Sequence, residues 1–334
     1  MTDRAPIRVG IAGLGGHGRR IQDAVAAVPD LLVAGVYDPD AGEARAAADR
    51  FGCPAAPSYD ALLDPERLDA VVLVTPNALH RAQAEAAVAA GLDVFVEKPI
   101  ANTVADGRAM IEAAEEAGAV LMVGHNARYG RAARQARALL DDGAIGEPVS
   151  VEIHFSADNV QKGSHEGWRF QPGQCPLLPM MQLGVHAVDL AQYLLGPVRG
   201  ASGRSREVLT RPGVVDSVTG MLLFESGVAG TVVSNYCTPD LFQLRLAGTA
   251  GVLVLDWIPH RLTVLPRGTS TVAPEVRDFA AYAGEDLVAE LREFADAVRG
   301  RRVPETGGQV GLQALAVVEA MAESAGSEAH GVVA

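Results

Sequence analysis

The feature that most constrains the fold is the alternation, over the first 125 residues, of short apolar runs with alanine-rich stretches of helical periodicity. The runs are almost continuously apolar, which is typical of parallel strands covered on both faces. Strands are predicted at Ile7–Ala12, Leu31–Tyr37, Ala70–Val74, Asp93–Val96 and Val120–Gly124, and helices at Gly18–Val28, Ala41–Phe51, His80–Ala90 and Thr103–Ala117. Strands and helices that alternate at this length form right-handed βαβ units. The sequence therefore predicts an α/β fold with a doubly wound parallel sheet in residues 1–125.

The pattern changes after residue 125, which indicates a second domain over residues 126–334. Helices are predicted there at Arg131–Leu140, Met180–Leu195, Glu285–Val298 and Gln309–Ala322. Segments typical of antiparallel or mixed strands occur at Val149–Ala157, Ser217–Glu225, Gly230–Tyr236, Phe242–Ala247 and Gly251–Asp256. The second domain is thus expected to be of the α+β class.

Composition argues against several classes of function. Asp and Glu outnumber Lys and Arg by 41 to 28, so sequence-independent binding of nucleic acid has no electrostatic support. No apolar stretch approaches the roughly 20 residues that a membrane span needs, and Met1–Pro6 lacks the basic-then-apolar order of a signal peptide. Cys53, Cys175 and Cys237 are widely spaced and odd in number, which argues against a disulfide framework or a cysteine zinc site. We expect a cytoplasmic protein with no metal, nucleic-acid or membrane partner.

A glycine-rich turn directly follows the first predicted strand. It has the pattern G-x-G-x-x-G and comprises Gly13, Leu14, Gly15, Gly16, His17 and Gly18. Between a strand and a helix, this pattern indicates a dinucleotide-binding site. Gly13 permits the tight turn, Gly15 lets the backbone approach a pyrophosphate, and Gly18 permits close packing of helix and strand. The helix N-terminus would then supply N–H groups and a partial positive charge to the phosphates.

Asp38 ends the second predicted strand, 20 residues after Gly18. A carboxylate there accepts hydrogen bonds from an adenosine ribose and repels a 2′-phosphate. No arginine follows within four residues to bind such a phosphate. The sequence therefore predicts NAD in preference to NADP, the alternative being a tight turn beside a surface aspartate.

Two further strand ends carry polar residues. They are Thr75, Pro76, Asn77 and His80 after the third strand, and Glu97, Lys98 and Pro99 after the fourth. Ligands of doubly wound sheets bind outside the carboxyl ends of the strands, so these segments should line the cofactor crevice. The alternative is that the prolines mark turns and that Asn77 caps a helix.

Lysine is rare in this chain, since only Lys98 and Lys162 among the 28 basic residues are lysines. Arginine serves wherever a positive charge suffices, but it cannot give up its proton. Retention of Lys98 at a strand end therefore favours a role in proton transfer, whereas Lys162 fits a surface lysine.

One helix of the second domain brings together Gln182, His186 and Asp189. Gln182 and His186 share a face at a spacing of four residues, and Asp189 is close enough to orient the imidazole. An imidazole held by a carboxylate can act as a general base. The alternative is a structural histidine in an apolar helix.

These motifs resemble, in order and over essentially the whole chain, those of the glucose–fructose oxidoreductase / inositol dehydrogenase / rhizopine-catabolism (Gfo/Idh/MocA) family. The matching segments are the strand and glycine turn at 7–18, Thr75-Pro76-Asn77-x-x-His80, Phe95-Val96-Glu97-Lys98-Pro99, Gly124-x-Asn126-x-Arg128-Tyr129, Trp168-Arg169 and Gly184-x-His186-x-x-Asp189. The resemblance implies a Rossmann domain followed by an α+β domain with a large open, mainly antiparallel sheet. It also implies a homodimer or homotetramer and NAD-dependent redox chemistry on a sugar, cyclitol or nucleotide sugar.

The resemblance also implies residue roles. Lys98 is expected to be catalytic, with a cis bond to Pro99, and His186 or Lys98 would move the proton. The glycine turn, Asp38, Lys98 and the residues Thr75, Pro76, Asn77, His80 and Glu97 would bind the cofactor. The substrate would be bound by Asn126, Arg128, Trp168, Arg169, Gln182 and His186.

The chain departs from the family pattern at Gln182, where many members have an aspartate, and in the glycines that usually precede it. An amide cannot take a proton at neutral pH, although it can donate and accept hydrogen bonds.

Two alternative functions are an NAD-dependent enzyme of the same family that cleaves glycosides, and a non-catalytic regulator that senses NAD.

Overall fold

The computed structural model describes residues 5–163, 166–171, 173–268 and 273–325, so most of Met1–Pro6 lies outside the described residues. Up to residue 124, strands and helices alternate in the order β1 (Ile7–Ala12), α1 (Gly16–Ala26), β2 (Leu31–Tyr37), α2 (Ala41–Phe51), α3 (Tyr59–Leu62), β3 (Ala70–Leu73), α4 (His80–Ala89), β4 (Asp93–Glu97), α5 (Val104–Ala117) and β5 (Leu121–Gly124). The remaining elements are α6 (Arg131–Asp141), β6 (Pro148–Ser156), α7 (Asn159–Lys162), a π-helix (Met180–Gly184), α8 (Val185–Leu195), β7 (Val198–Arg206), β8 (Ser217–Phe224), β9 (Ala229–Asn235), β10 (Leu241–Gly248), β11 (Gly251–Asp256), β12 (Arg261–Pro266), β13 (Glu275–Asp278), α9 (Glu285–Gly300) and α10 (Gly308–Ala325). Short 3₁₀ turns occur at Asn77–Leu79, Asn126–Tyr129, Trp168–Phe170 and Ala280–Tyr282.

Contacts within the chain divide it into two compact units. The first contains residues up to Tyr129 together with Gly284–Leu312, and the second contains Gly130–Ala283 and the residues from Gln313 onwards. This division differs from a single boundary at residue 126, because α9 is part of the first unit. Its Phe294 is fully buried there and packs edge to face on Phe95 of β4, with ring centroids 5.7 Å apart.

The first unit contains a five-stranded parallel sheet in the order β2-β1-β3-β4-β5. Every residue of β3, β4 and β5 is buried, as expected of strands that are covered on both faces. Helix α5 begins and ends as its sequence predicts. The Thr103 hydroxyl accepts a hydrogen bond from the Asp106 amide, and Gly118 ends the helix in the left-handed region. The order of the strands places the carboxyl ends of β1, β3 and β4 side by side.

The second unit contains an eight-stranded sheet in the order β13-β12-β11-β10-β6-β9-β8-β7, in which only β6 and β9 pair in parallel. Strand register separates its two faces. Leu253, Leu246, Val151 and Leu222 form a buried lateral row. The neighbouring row points to the opposite face and is exposed or half-exposed; it consists of Val276, Thr263, Val254, Arg245, Glu152, Thr231 and Met221.

The sheets and their order agree with the predicted fold class of a doubly wound parallel sheet followed by a large, mainly antiparallel one. In the part of the chain that the structure describes, no helix is both long and apolar enough to cross a membrane.

Candidate functional site

The glycine turn of the first unit leaves no room for a side chain at two of its glycines and open space at two others. A Cβ at Gly13, where φ is +92°, would lie 2.5 Å from the Val74 carbonyl oxygen, and one at Gly18 would lie 2.2 Å from the Gly13 oxygen. A Cβ at Gly15 or Gly16 would meet no described atom within 4 Å. Helix α1 begins directly after Gly15 without a hydrogen bond from a capping side chain. Open space in front of uncapped helix amides fits a phosphate group.

Asp38 is held by this turn. One carboxylate oxygen accepts a hydrogen bond from the Leu14 amide at 2.7 Å, and the other accepts one from the Asp40 amide at 2.9 Å. The Leu14 side chain is fully buried, so only its backbone faces the turn. Asp38 also lines a cavity of about 350 Å³ with Tyr37, Arg45 and several alanines. Arg45 lies seven residues after Asp38 in the sequence, outside the four-residue stretch that contains no arginine.

His80 joins two of the predicted strand-end segments. Its imidazole is fully buried, with Nδ1 3.0 Å from the Pro99 carbonyl oxygen and Nε2 3.0 Å from the Thr75 carbonyl oxygen. Burial lowers the pKa of His80. Asn77 is buried as well, and the Thr75 hydroxyl donates a hydrogen bond to the Gln83 side-chain oxygen at 2.5 Å. The fully buried His80 ring therefore positions these segments, and direct cofactor binding by its side chain stays a prediction.

Glu97 connects the glycine turn to Lys98. Its Oε1 lies 3.0 Å from His17 Nε2, and its Oε2 accepts a hydrogen bond from the Lys98 amide at 3.1 Å. Burial acts to raise the pKa of Glu97, but the charges and hydrogen bonds of His17 and Lys98 outweigh it and lower the pKa to about 2. The carboxylate is thus ionised at neutral pH. Lys98 is half-buried at the end of β4, and its bond to Pro99 is cis, as the resemblance implies.

Asn126 and Arg128 lie in the short turn after β5, and both are buried in the first unit. The Asn126 amide donates a hydrogen bond to Asp286 of α9 at 2.6 Å. The structure therefore gives Asn126 a partner within the protein, and the predicted contact of either residue with substrate stays untested.

In the second unit, the helix predicted at Met180–Leu195 begins as a π-helix over Met180–Gly184 before α8. A Cβ at Gly184 would lie 2.4 Å from Met180 Sδ, and the Ser234 hydroxyl donates a hydrogen bond to the Pro179 carbonyl at 3.0 Å. Gln182 lies inside the wider turn. Such π turns are frequent at functional sites.

Gln182 contacts two residues of the preceding segment. Its oxygen accepts a hydrogen bond from Arg169 Nε at 3.0 Å, and its nitrogen contacts Cys175 Sγ at 3.4 Å. The Arg169 guanidinium also lies over the Trp168 ring, 4.5 Å from its centroid. Three predicted substrate residues, Trp168, Arg169 and Gln182, are therefore brought into one cluster.

His186 is buried against an aromatic cluster. Its ring lies 5.0 Å from the half-exposed Trp257, which stacks on Phe155 at 5.4 Å. Asp189 is fully buried one turn further along α8, and its orienting role stays a prediction. Trp257 is absent from the residues predicted from sequence. The available signal was its position directly after a predicted strand, as one of two tryptophans.

Within the described ranges, no group of three or more His, Cys, Asp or Glu side chains is arranged to hold a metal ion.

Comparison with known proteins gives matches over both units. The sequence model of the oxidoreductase family with an NAD-binding Rossmann fold (GFO/IDH/MocA) matches residues 7–125, and the model of the GFO/IDH/MocA C-terminal domain matches residues 133–254. D-apiose dehydrogenase of Paraburkholderia graminis is 32% identical over 86% of this chain and 79% of its own length. scyllo-Inositol 2-dehydrogenase (NAD⁺) of Bacillus subtilis is 28% identical over 89% of this chain and 88% of its own. The structure of aldose-aldose oxidoreductase from Caulobacter crescentus, complexed with glycerol, matches with a TM-score of 0.87 and 28% identity over 96% of this chain and 97% of its own.

Proposed function

The chain belongs to the Gfo/Idh/MocA oxidoreductase family, and from that premise we propose that it transfers a hydride between NAD and a secondary alcohol, or the matching ketone, of a sugar, cyclitol or nucleotide sugar. The observation that carries the proposal is the contact of Glu97 with His17, which joins the segment of Lys98 to the glycine turn. The named relatives act on D-apiose and scyllo-inositol, which supports the substrate class.

The first unit fits the cofactor at three places. The open positions Gly15 and Gly16 and the amides of α1 would hold the pyrophosphate, and Asp38 would accept the ribose hydroxyls. Thr75, Asn77 and Glu97 would hold the nicotinamide half. NAD, when bound, supplies the acceptor or donor of the hydride. The Asp38 charge favours NAD over its 2′-phosphorylated form.

Lys98 would donate a hydrogen bond to the reacting oxygen and exchange a proton with it. The charge of Lys98 is among the causes that lower the pKa of the neighbouring Glu97, so an ionised carboxylate accompanies the lysine at neutral pH. The second unit contributes His186, whose imidazole is of the kind that exchanges protons near neutral pH, and its ring packs against Trp257. Trp257 offers an apolar surface that a sugar ring can cover.

A cofactor-coupled screen tests the proposal. The protein is mixed with NAD and, in turn, with polyols, inositols, aldoses and nucleotide sugars, and the absorbance of reduced nicotinamide is followed. Turnover of at least one compound by the wild type, lost in Gly15→Ala, is expected. A protein that binds NAD but reduces it with no member of the panel, or that releases sugar from glycosides without net reduction, would contradict the proposal.

A further inference from the structure

Arg169 of the second unit is fixed in place from two sides. Its guanidinium lies over the Trp168 ring at 4.5 Å, and its Nε donates to the Gln182 oxygen at 3.0 Å. The Gln182 amide is buried and its nitrogen faces Cys175 Sγ, so the amide oxygen is directed to Arg169. A guanidinium oriented in this way is prepared to bind before any ligand arrives.

The groups that hold Arg169 are all neutral. They are an indole ring, a carboxamide and, nearby, the buried phenol of Tyr236; burial raises the pKa of that phenol, while the Arg169 charge opposes the rise. Among the described residues, no carboxylate lies within 4.0 Å of Arg169, and its two terminal nitrogens make no hydrogen bond. Other half-exposed arginines of the chain do have acidic partners, including Arg137 with Asp141 and Arg299 with Asp30.

A half-buried cation without a counter-charge costs free energy that an anionic ligand would recover. The planar guanidinium matches carboxylate and phosphate oxygens through two parallel hydrogen bonds, and the terminal nitrogens of Arg169 are the donors for such a pair. Gln182, which holds Nε, precedes His186 by four residues, so an anion on Arg169 would be held beside the helical segment that also carries the imidazole.

We propose that Arg169 binds an oxyanion of the substrate, so that the preferred substrate is an acidic sugar or cyclitol derivative rather than a neutral one. The inference rests on the proposed function, because it places the anion in the substrate of that reaction. Arg169 is a binding residue in this proposal, and it sets specificity rather than moving the proton. The oxyanion is a carboxylate, as in a sugar acid, or the phosphate of a nucleotide sugar.

Calorimetry on the NADH-loaded protein distinguishes these sources. The probes are D-glucuronate and D-galacturonate for the carboxylate, UDP-glucose for the phosphate, and D-glucose and D-galactose as neutral counterparts. At least one anionic probe should bind more tightly than its neutral counterpart, and Arg169→Gln should weaken that binding by about 10- to 100-fold. Arg169→Lys, which keeps the charge, should retain part of the affinity. Arg277→Gln is the matched control, since it removes one half-exposed positive charge, which is paired with Glu275, from the same unit and should change no affinity.

Equal affinity for anionic and neutral probes, binding of no anionic probe, or unchanged anion binding by Arg169→Gln would each overturn the inference. Turnover is followed in the same samples by cofactor absorbance. Anion binding that depends on Arg169 without any hydride transfer would leave the anion site standing and refute the proposed function. Turnover of neutral sugars alone, unaffected by Arg169→Gln, would support the proposed function and refute the anion site.

Discussion

Asp38 uses its two carboxylate oxygens to accept hydrogen bonds from the backbone amides of Leu14 and Asp40, and in the proposed cofactor site its charge would repel a 2′-phosphate. Arg45, in the same cavity, has the opposite charge and would attract that phosphate. At the scale of single residues, we therefore expect the choice between NAD and NADP to depend on two side chains, of which the dinucleotide-binding motif includes only Asp38.

We expect NAD to bind at least tenfold more tightly than NADP, a difference of about 1.4 kcal/mol or more. Asp38→Ser should bring the affinities for NAD and NADP closer together, because Arg45 then attracts the 2′-phosphate without an opposing carboxylate. The double variant Asp38→Ser, Arg45→Gln should lose NADP affinity again. Titration of both cofactors by calorimetry measures this, and equal affinities in the wild type would show that Asp38 does not select the cofactor.

Glu97 should make stability depend on pH in acid. Its pKa is about 2 in the folded protein against an ordinary value of 4.5, so its ionised form stabilises the fold above pH 4.5. That contribution diminishes below pH 4.5 and is lost as the pH falls through about 2. Urea unfolding from neutral pH to about pH 3 should show that the wild type has a higher free energy of unfolding than Glu97→Gln near neutral pH and that this difference shrinks in acid. The exposed Glu275→Gln is the control, and a difference that is independent of pH would refute the assignment.

At the scale of elements, the turn between β1 and α1 contains one glycine that is needed for packing and another that is expected to make room for the cofactor. An alanine Cβ at Gly18 would overlap the Gly13 backbone oxygen, whereas one at Gly15 would enter open space, and the φ of −65° at Gly15 suits alanine. Gly15→Ala should therefore leave the free energy of unfolding within about 0.5 kcal/mol of the wild type and weaken NAD binding tenfold or more.

Gly18→Ala should instead lower the free energy of unfolding by about 1–3 kcal/mol. Urea unfolding and NAD titration of the two variants separate the effects. Normal NAD affinity in Gly15→Ala would mean that no phosphate approaches this turn.

The elements also show what the sequence could and could not reveal. Strands β1 and β2 were predicted to the residue because turns bound their apolar runs. The residues of β1 are almost all buried, whereas Leu32 of the edge strand β2 is exposed. Strands β7 and β13 were missed, since these edge strands, with the sequences VRGASGRSR and EVRD, lack apolar alternation and pair through their backbones. The π turn at Gln182 was missed because it depends on packing at Met180 and Ser234, which lie on different elements.

For the candidate site too, the sequence predicts which segments meet but not which contacts their side chains make. The order of parallel strands follows from βαβ connections, so the sequence could predict that the glycine turn and the strand-end segments share an edge. It could not predict that His80 and Asn126 turn their polar atoms to protein partners, because a polar residue in a motif has the same appearance whether it faces a backbone carbonyl or a ligand. Trp257 was missed because its contact with His186 joins residues 71 positions apart.

At the scale of the whole molecule, the exposed face of the eight-stranded sheet is the expected interface of a homodimer or homotetramer. Met221 of β8 and Val276 of β13, which belong to one lateral row, are 60% and 56% exposed. Analytical ultracentrifugation should show an oligomer that Met221→Glu weakens. Val303→Glu places the same charge at an exposed valine of the first unit and should have no effect. A monomeric wild type would contradict the expectation.

The central claim is that Lys98, at the carboxyl end of β4 and beside an ionised Glu97, moves a proton during hydride transfer to or from NAD. The most direct measurement is the steady-state turnover of Lys98→Arg, with the best substrate of the screen, alongside calorimetric NAD affinity. Arginine keeps the charge but cannot share its proton, so turnover should fall about 100-fold or more while NAD affinity changes little. Near-normal turnover in Lys98→Arg would contradict the account.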